Sequence, residues 1–312
     1  MFEFKRRNRF LYRLLLVLSL VVAGSLHPET AQAARAGTSS AEQVLNVGLI
    51  PERNVFAQKA HYQPLMDYLS RKTGITFKLH LLPRYGNLID NFTHLSLDAA
   101  FFGSFTGAMA IKKLGVIPLA RPQFKGGLST YYGMVFVRKD SGIKTAADMK
   151  DKRVVFVDRA TTAGFLLPVA YFRQLGIVHF DRWFKEYYYS GTHEDAILEV
   201  LNGYADIGAA KNTIFFRMAA EDNRIEQELE ILATSPPVPA NSLAVRKDLP
   251  VALRNLIQDT LLSMDQDLEG RTVLEQLDAE KFIKTTAENY QSVFDYATDI
   301  GLDLANYNYL ND

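Results

Sequence analysis

Met134-Val135-Phe136-Val137-Arg138-Lys139-Asp140 and Ser242-Leu243-Ala244-Val245-Arg246-Lys247-Asp248 are the stretches that decide the fold. Each is an apolar strand ending in Val-Arg-Lys-Asp, and the two bracket a complete series of strand-like and helix-like segments. Similar extended segments at both boundaries of an inserted unit fit a pair of connecting strands between two lobes, one outbound and one returning. A second reading stands beside this one, because charged residues blunt exposed strand edges and any surface strand can end this way. On the first reading, residues 44–134 open one lobe, residues 135–242 form the other, and residues 243–312 return to the first. Helices at 250–264 and 287–300 then pack on the first lobe.

Outward from these strands the chain alternates in the manner of an α/β protein. Residues 44–50 read as a strand. Pro51-Glu52-Arg53-Asn54 turns into a helix that carries Tyr62, Leu65, Met66 and Leu69 at helical spacing and stops before Gly74. A strand at 76–82, a helix at 85–92, a strand at 97–102 and a helix at 106–114 follow. The second series has strands at 153–157, 187–189 and 205–210, with helices after Gly164 and at 195–202.

The 35 basic and 35 acidic residues cancel, so there is no long-range field to attract nucleic acid or an anionic membrane. Anion binding must come from local geometry. Lys5, Arg6, Arg7, Arg9 and Arg13 precede an apolar run from Leu14 to Leu26, and Ala31-Gln32-Ala33 suits signal peptidase. A cleavable signal peptide over residues 1–33 and a periplasmic destination are expected; an uncleaved anchor is the alternative, although the apolar run is short for a bilayer. With no cysteine in the chain, lipidation at a cysteine, disulfides, thiolate metal sites and a cysteine nucleophile are excluded.

The most informative short segment is Val157-Asp158-Arg159-Ala160-Thr161-Thr162-Ala163-Gly164, where an apolar strand passes into a helix. Free backbone N–H groups at such a point, with the helix dipole and two hydroxyls, can hold an oxyanion without a full positive charge. Taken alone, threonine before a helix is also an ordinary cap. Arg53 and Asn54 follow the first strand, where ligands of open α/β folds are commonly met. Phe101, Phe102 and Phe105 read as core or as an apolar wall. The dinucleotide, P-loop, zinc-protease and nucleophile-elbow motifs do not occur, and the histidines lack metal-ligand spacing, so no metal, cofactor or catalytic residue is expected.

The Thr161–Gly164 segment resembles the Ser-Thr-Ser-Gly loop of the phosphonate-binding proteins of ABC importers, and further landmarks occur in the same order. Tyr62-Gln63-Pro64-Leu65, with Tyr68-Leu69 and Gly74, is similar to that family's first helix, and residues 98–103 to its third strand. Residues 191–206, with His193-Glu194 and Asn202-Gly203-Tyr204-Ala205-Asp206, are similar to a further family stretch. The resemblance implies a type II periplasmic binding fold, two α/β lobes joined by two crossover strands. It implies that Thr161, Thr162 and the backbone of Ala163 and Gly164 hold the oxyanion, that His193 donates from the same lobe, and that Tyr85 and Tyr131 reach the ligand from the other side. Thr213 and Asn241 stand where aminoalkyl-phosphonate binders place a Glu and an Asp for the ligand's ammonium group. Ala163 replaces a third hydroxyl, and Lys211 adds a cation that points either to the site or to solvent. A phosphonate, phosphite or phosphate-like ligand without an amine is expected, captured by a monomer and passed to an ABC permease. A sensory subunit for a membrane histidine kinase and an exported enzyme acting on phosphoryl compounds are the alternative functions.

Overall fold

The computed structural model describes residues 43–311, so the export segment read at residues 1–33 lies outside the described residues. Strands β1 (Val44–Leu49), β2 (Thr76–Leu81), β3 (Ala99–Phe102) and β4 (Ile117–Phe124) come first. After β5 (Thr130–Tyr131) the chain builds β6 (Gly133–Arg138), β7 (Arg153–Phe156), β8 (Glu186–Tyr189), β9 (Ile207–Lys211) and β10 (Leu229–Thr234). It returns through β11 (Val238–Pro239) to β12 (Ser242–Val245) and β13 (Ala279–Lys284).

Two sheets result, ordered β13-β4-β12-β3-β1-β2 and β10-β6-β9-β7-β8. In each, parallel strands joined by helices form one half, and the strand reached after the crossing is inserted antiparallel to its neighbours. The connection itself is the small ladder of β5 and β11, with Tyr131 opposite Val238 and Thr130 opposite Pro239.

This corrects the reading of the echoed strands as connectors. β6 and β12 are interior members of different sheets, and each occupies the same place in its own sheet. The repeated arginine has a physical reason there. Arg138 reaches Glu228 at 2.8 Å and the Leu201 carbonyl, tying β6 to the approach to β10 and to the end of a helix. Arg246 holds Asp98 at 3.0 Å, and Asp98 also accepts the Asn46 N–H, which joins the ends of β12, β3 and β1.

Local signals account for the helices that frame the sheets. Asn54 caps the helix Val55–Thr73 by accepting from Ala57 N–H at 3.0 Å, and Gly74 ends it at φ 73°, a conformation glycine adopts at no steric cost. The helix Val251–Leu262 buries Leu253, Ile257 and Leu261 against the first sheet, and Gln291–Asp299 packs beside Ser104–Leu114. The final segment touches both lobes. Tyr309 donates to Asp90 in the first lobe, whereas Tyr307 donates to the Arg159 carbonyl and Asn311 to Asp158 in the second.

Gly208 shows how closely the second lobe is packed. A Cβ there would lie 2.6 Å from Val200 Cγ2 and 2.8 Å from Phe136 Cε2, beneath a helix and a neighbouring strand. Gly208→Ala is expected to lower unfolding free energy by about 1–3 kcal/mol in urea titration; an unchanged midpoint would contradict this packing.

Candidate functional site

The functional residues gather where the parallel strands of both sheets end, the place where open α/β folds meet ligands. From the first lobe come Ile50 and Glu52 after β1, Tyr85 after β2, and Gly103, Phe105 and Thr106 after β3. The second lobe supplies Ala160, Thr161 and Thr162 after β7, and His193 at the start of the helix His193–Leu201. Tyr131 of β5 and Asn241 before β12 complete the lining of a void of about 10 Å³, close to the room one water needs.

Two helix starts face each other across this void. Ser104–Leu114 begins after Gly103 with no side-chain cap, and the turn Thr162–Leu166, which runs into Leu167–Gln174, begins after Thr161 in the same way. First-turn amides have no intrahelical acceptor, so both ends carry partial positive charge toward the interface. Phe105 N–H donates across the lobes to Thr162 Oγ1 at 2.8 Å. The Thr162 hydroxyl proton itself has no acceptor among the described residues, whereas Thr161 donates its own to the Asp158 carbonyl at 2.7 Å.

Tyr85 is 3% exposed, and its hydroxyl has no hydrogen-bond partner among the described residues. A buried phenol left in this way costs free energy unless something else accepts from it. Burial also pushes its ionisation well above the usual range, so it stays a donor. The His193 ring lies edge-on to Tyr85, and its Nδ1 accepts from the Lys211 backbone N–H at 3.3 Å. That bond places the ring proton on Nε2. Burial holds the imidazole down at about 4, with the Glu52 carboxylate raising and the Lys211 ammonium lowering it, so the ring is neutral at pH 7.

Glu52 and Lys211 form an ion pair between the lobes at 2.9 Å, and Lys211 Nζ also donates to Asn241 Oδ1 at 3.3 Å. Burial alone would push the Glu52 carboxyl up; the attraction of Lys211 and its hydrogen bond outweigh it and hold the group at about 2. Beyond this pair lies a larger cavity of about 670 Å³, which shares Glu52 and Asn241 with the small void.

Tyr85, Tyr131, Thr161, Thr162, His193 and Asn241 are therefore brought together. Arg53 and Thr213 are not; both line the larger cavity. Ala163 packs against Gly133, and Gly164 accepts from Val157 N–H at 3.1 Å, so neither lines the void. Glycine is needed at 164 because a Cβ would meet Val157 Cβ at 2.4 Å, a close approach of helix to strand. Of the residues after β1, Glu52 turns inward while Asn54 is spent on capping, and the Phe105 backbone serves the site through Thr162. Glu52 was legible only through a charge partner distant in sequence.

The depressed imidazole gives a pH test. The unfolded histidine titrates near 6.5 and the folded one near 4, so its contribution is present above pH 6.5 and is lost as pH falls toward 4. The loss approaches about 3 kcal/mol. His193→Asn supplies an amide oxygen in the place of Nδ1 and cannot protonate. Its unfolding free energy is expected to fall less between pH 7 and pH 4 by about that amount; a drop parallel to the parent protein would show that His193 is not the group titrating.

Comparison with known proteins agrees with this architecture. Residues 47–290 match the family model described as ABC transporter, phosphonate, periplasmic substrate-binding protein. The phosphonates-binding periplasmic protein of Escherichia coli (strain K12) is 25% identical over 241 residues, covering 76% of this chain and 70% of the relative. The phosphate-import protein PhnD of Mycolicibacterium smegmatis is 29% identical over 181 residues, 55% of this chain and 56% of its own. The solved structure of PhnD1 from Prochlorococcus marinus, in complex with methylphosphonate, superposes with a TM-score of 0.72 at 20% identity and covers 83% of this chain and 98% of that one. The match over residues 47–290, on a chain of two α/β lobes of type II topology joined by two crossover strands, shows that this chain belongs to the phosphonate family of periplasmic substrate-binding proteins of ABC transporters.

Proposed function

We propose that the protein captures a compact tetrahedral oxyanion of the phosphonate, phosphite or phosphate type between its lobes, in the periplasm, and hands it to an ABC importer. The observation that carries this reading is the Tyr85 hydroxyl, buried and without an acceptor among the described residues, beside two helix starts without a cap from their own N-cap residue and a neutral His193. Donors that converge without acceptors call for an acceptor-rich ligand, and an oxyanion offers three or four oxygens. Dipoles in a dehydrated site hold such a group more strongly than they would in water.

Family membership supports the transport role, since the matched relatives are named as binding and import proteins. The lobes supply the signal. A ligand that touches Tyr85 on one side and Thr162 on the other does so only when they are closed, and its differential affinity shifts the open–closed equilibrium. The segment before residue 34 fits export.

A thermal-shift screen with phosphate, phosphite, methylphosphonate, sulfate and 2-aminoethylphosphonate tests the reading. At least one amine-free phosphorus oxyanion is expected to raise the melting temperature, and calorimetry of Tyr85→Phe should then show its affinity about 10- to 100-fold lower. The ligand-free variant should melt no lower than the parent, because it loses no protein hydrogen bond. A panel without any shift, or a Tyr85→Phe protein that binds like the parent, would overturn the assignment.

A further inference from the structure

We infer that Lys211 is an ammonium built into the protein at the place where a ligand's own cationic substituent would sit, and that it restricts the site to short oxyanions without an amine. The inference rests on the oxyanion reading and deepens it.

The surroundings of Nζ are those of a receptor for an organic ammonium. Glu52 Oε1 lies at 2.9 Å, Asn241 Oδ1 at 3.3 Å, and the centroid of the Tyr131 ring at 4.4 Å. A carboxylate, an amide oxygen and an aromatic face are complementary to a primary ammonium with three donors. Lys211 is 8% exposed and Glu52 9%, so both belong to the interface between the lobes. The position of the chain at this point is fixed by the hydrogen bond from Lys211 N–H to His193, the histidine that faces the oxyanion void.

Two consequences follow for selectivity. Glu52 lines the void, and an unpaired carboxylate there would repel an oxyanion; paired with Lys211 it leaves the local charge near zero. The group Glu52–Lys211–Asn241 is also the wall between the void and the 670 Å³ cavity, because Glu52 and Asn241 line both and Lys211 joins them. A substituent that extends from the void toward the larger cavity meets this wall. One carrying an ammonium finds its acceptors already held by a tethered cation, which binds without the translational cost that a free ligand bears.

The test compares methylphosphonate, propylphosphonate and 2-aminoethylphosphonate by calorimetry on the full mature protein and on Lys211→Ala. The parent is expected to bind methylphosphonate at least tenfold more tightly than the other two. Lys211→Ala opens the wall and frees Glu52 and Asn241, so its preference should reverse toward 2-aminoethylphosphonate by at least tenfold. Because a lone buried carboxylate threatens folding, the charge-balanced Glu52→Gln/Lys211→Ala protein is measured alongside. It should gain propylphosphonate without gaining the aminated compound. An unchanged order of preference in the folded variants, or a parent that binds 2-aminoethylphosphonate as tightly as methylphosphonate, overturns the inference while leaving the oxyanion site standing. A parent that binds no oxyanion of the earlier panel removes both.

Discussion

The buried Glu52–Lys211 pair is the constraint around which the surface between the lobes is organised. Taking two charges out of water costs several kcal/mol each, and their attraction repays this only with good geometry and further hydrogen bonds. Asn241 and the face of Tyr131 supply those contacts. Glu52 follows β1 in one lobe and Lys211 ends β9 in the other, so in the proposed function both would hydrate when the lobes part. A pair that nearly breaks even fixes the geometry of closure without driving it. The driving free energy then has to come from whatever else both lobes touch, and in the proposed function that is the ligand.

The rest of the site avoids net charge. Thr162, Phe105, Tyr85 and His193 offer neutral donors or helix-start dipoles, and the Lys211 ammonium is matched by the Glu52 carboxylate. Such an arrangement agrees with a chain whose acidic and basic residues balance. The site sits at strand ends because the helix following each parallel strand starts there, and the segments after β3 and β7 meet through the Phe105–Thr162 hydrogen bond. The C-terminal segment adds a further tie across the lobes through Tyr307, Tyr309 and Asn311. Burial pushes the Asp158 carboxyl up to about 6 at that tie, against the pull of the Ala160 N–H and the Asn311 amide.

Much of this was legible from local pattern. Apolar runs bounded by turns gave the α/β alternation, and the strand-to-helix passage at Val157–Gly164 lies at the end of the second sheet where Thr161 and Thr162 line the void. The echoed strands were harder. Their composition reports an interior strand tied by an arginine, and it does so in both lobes, but pairing partners are not encoded within a strand. The crossing itself is only two residues on each side and carries no periodicity to read. Side-chain direction in loops was equally hidden: Glu52 and Arg53 are adjacent, yet Glu52 reaches the void as well as the larger cavity and Arg53 only the larger cavity. Lys211 after an apolar strand has the look of a solvent-facing end until Glu52, 159 residues away in sequence, is placed beside it.

These directions matter because the two ends of the site rest on different parts of the fold. The end proposed to hold the oxyanion is made of helix starts and of buried rings, and two of its positions are fixed by the fold: Gly164 cannot accept a Cβ, and Thr162 is bonded across the interface. The opposite end is made of three side chains, Glu52, Lys211 and Asn241, that meet one another and the face of Tyr131 and stand between the void and the neighbouring cavity. A charge-balanced change there alters charge and length while leaving the backbone pairing of the strands and helices untouched. A fold arranged this way can keep one grip on a tetrahedral anion while the group opposite it decides which substituents are admitted.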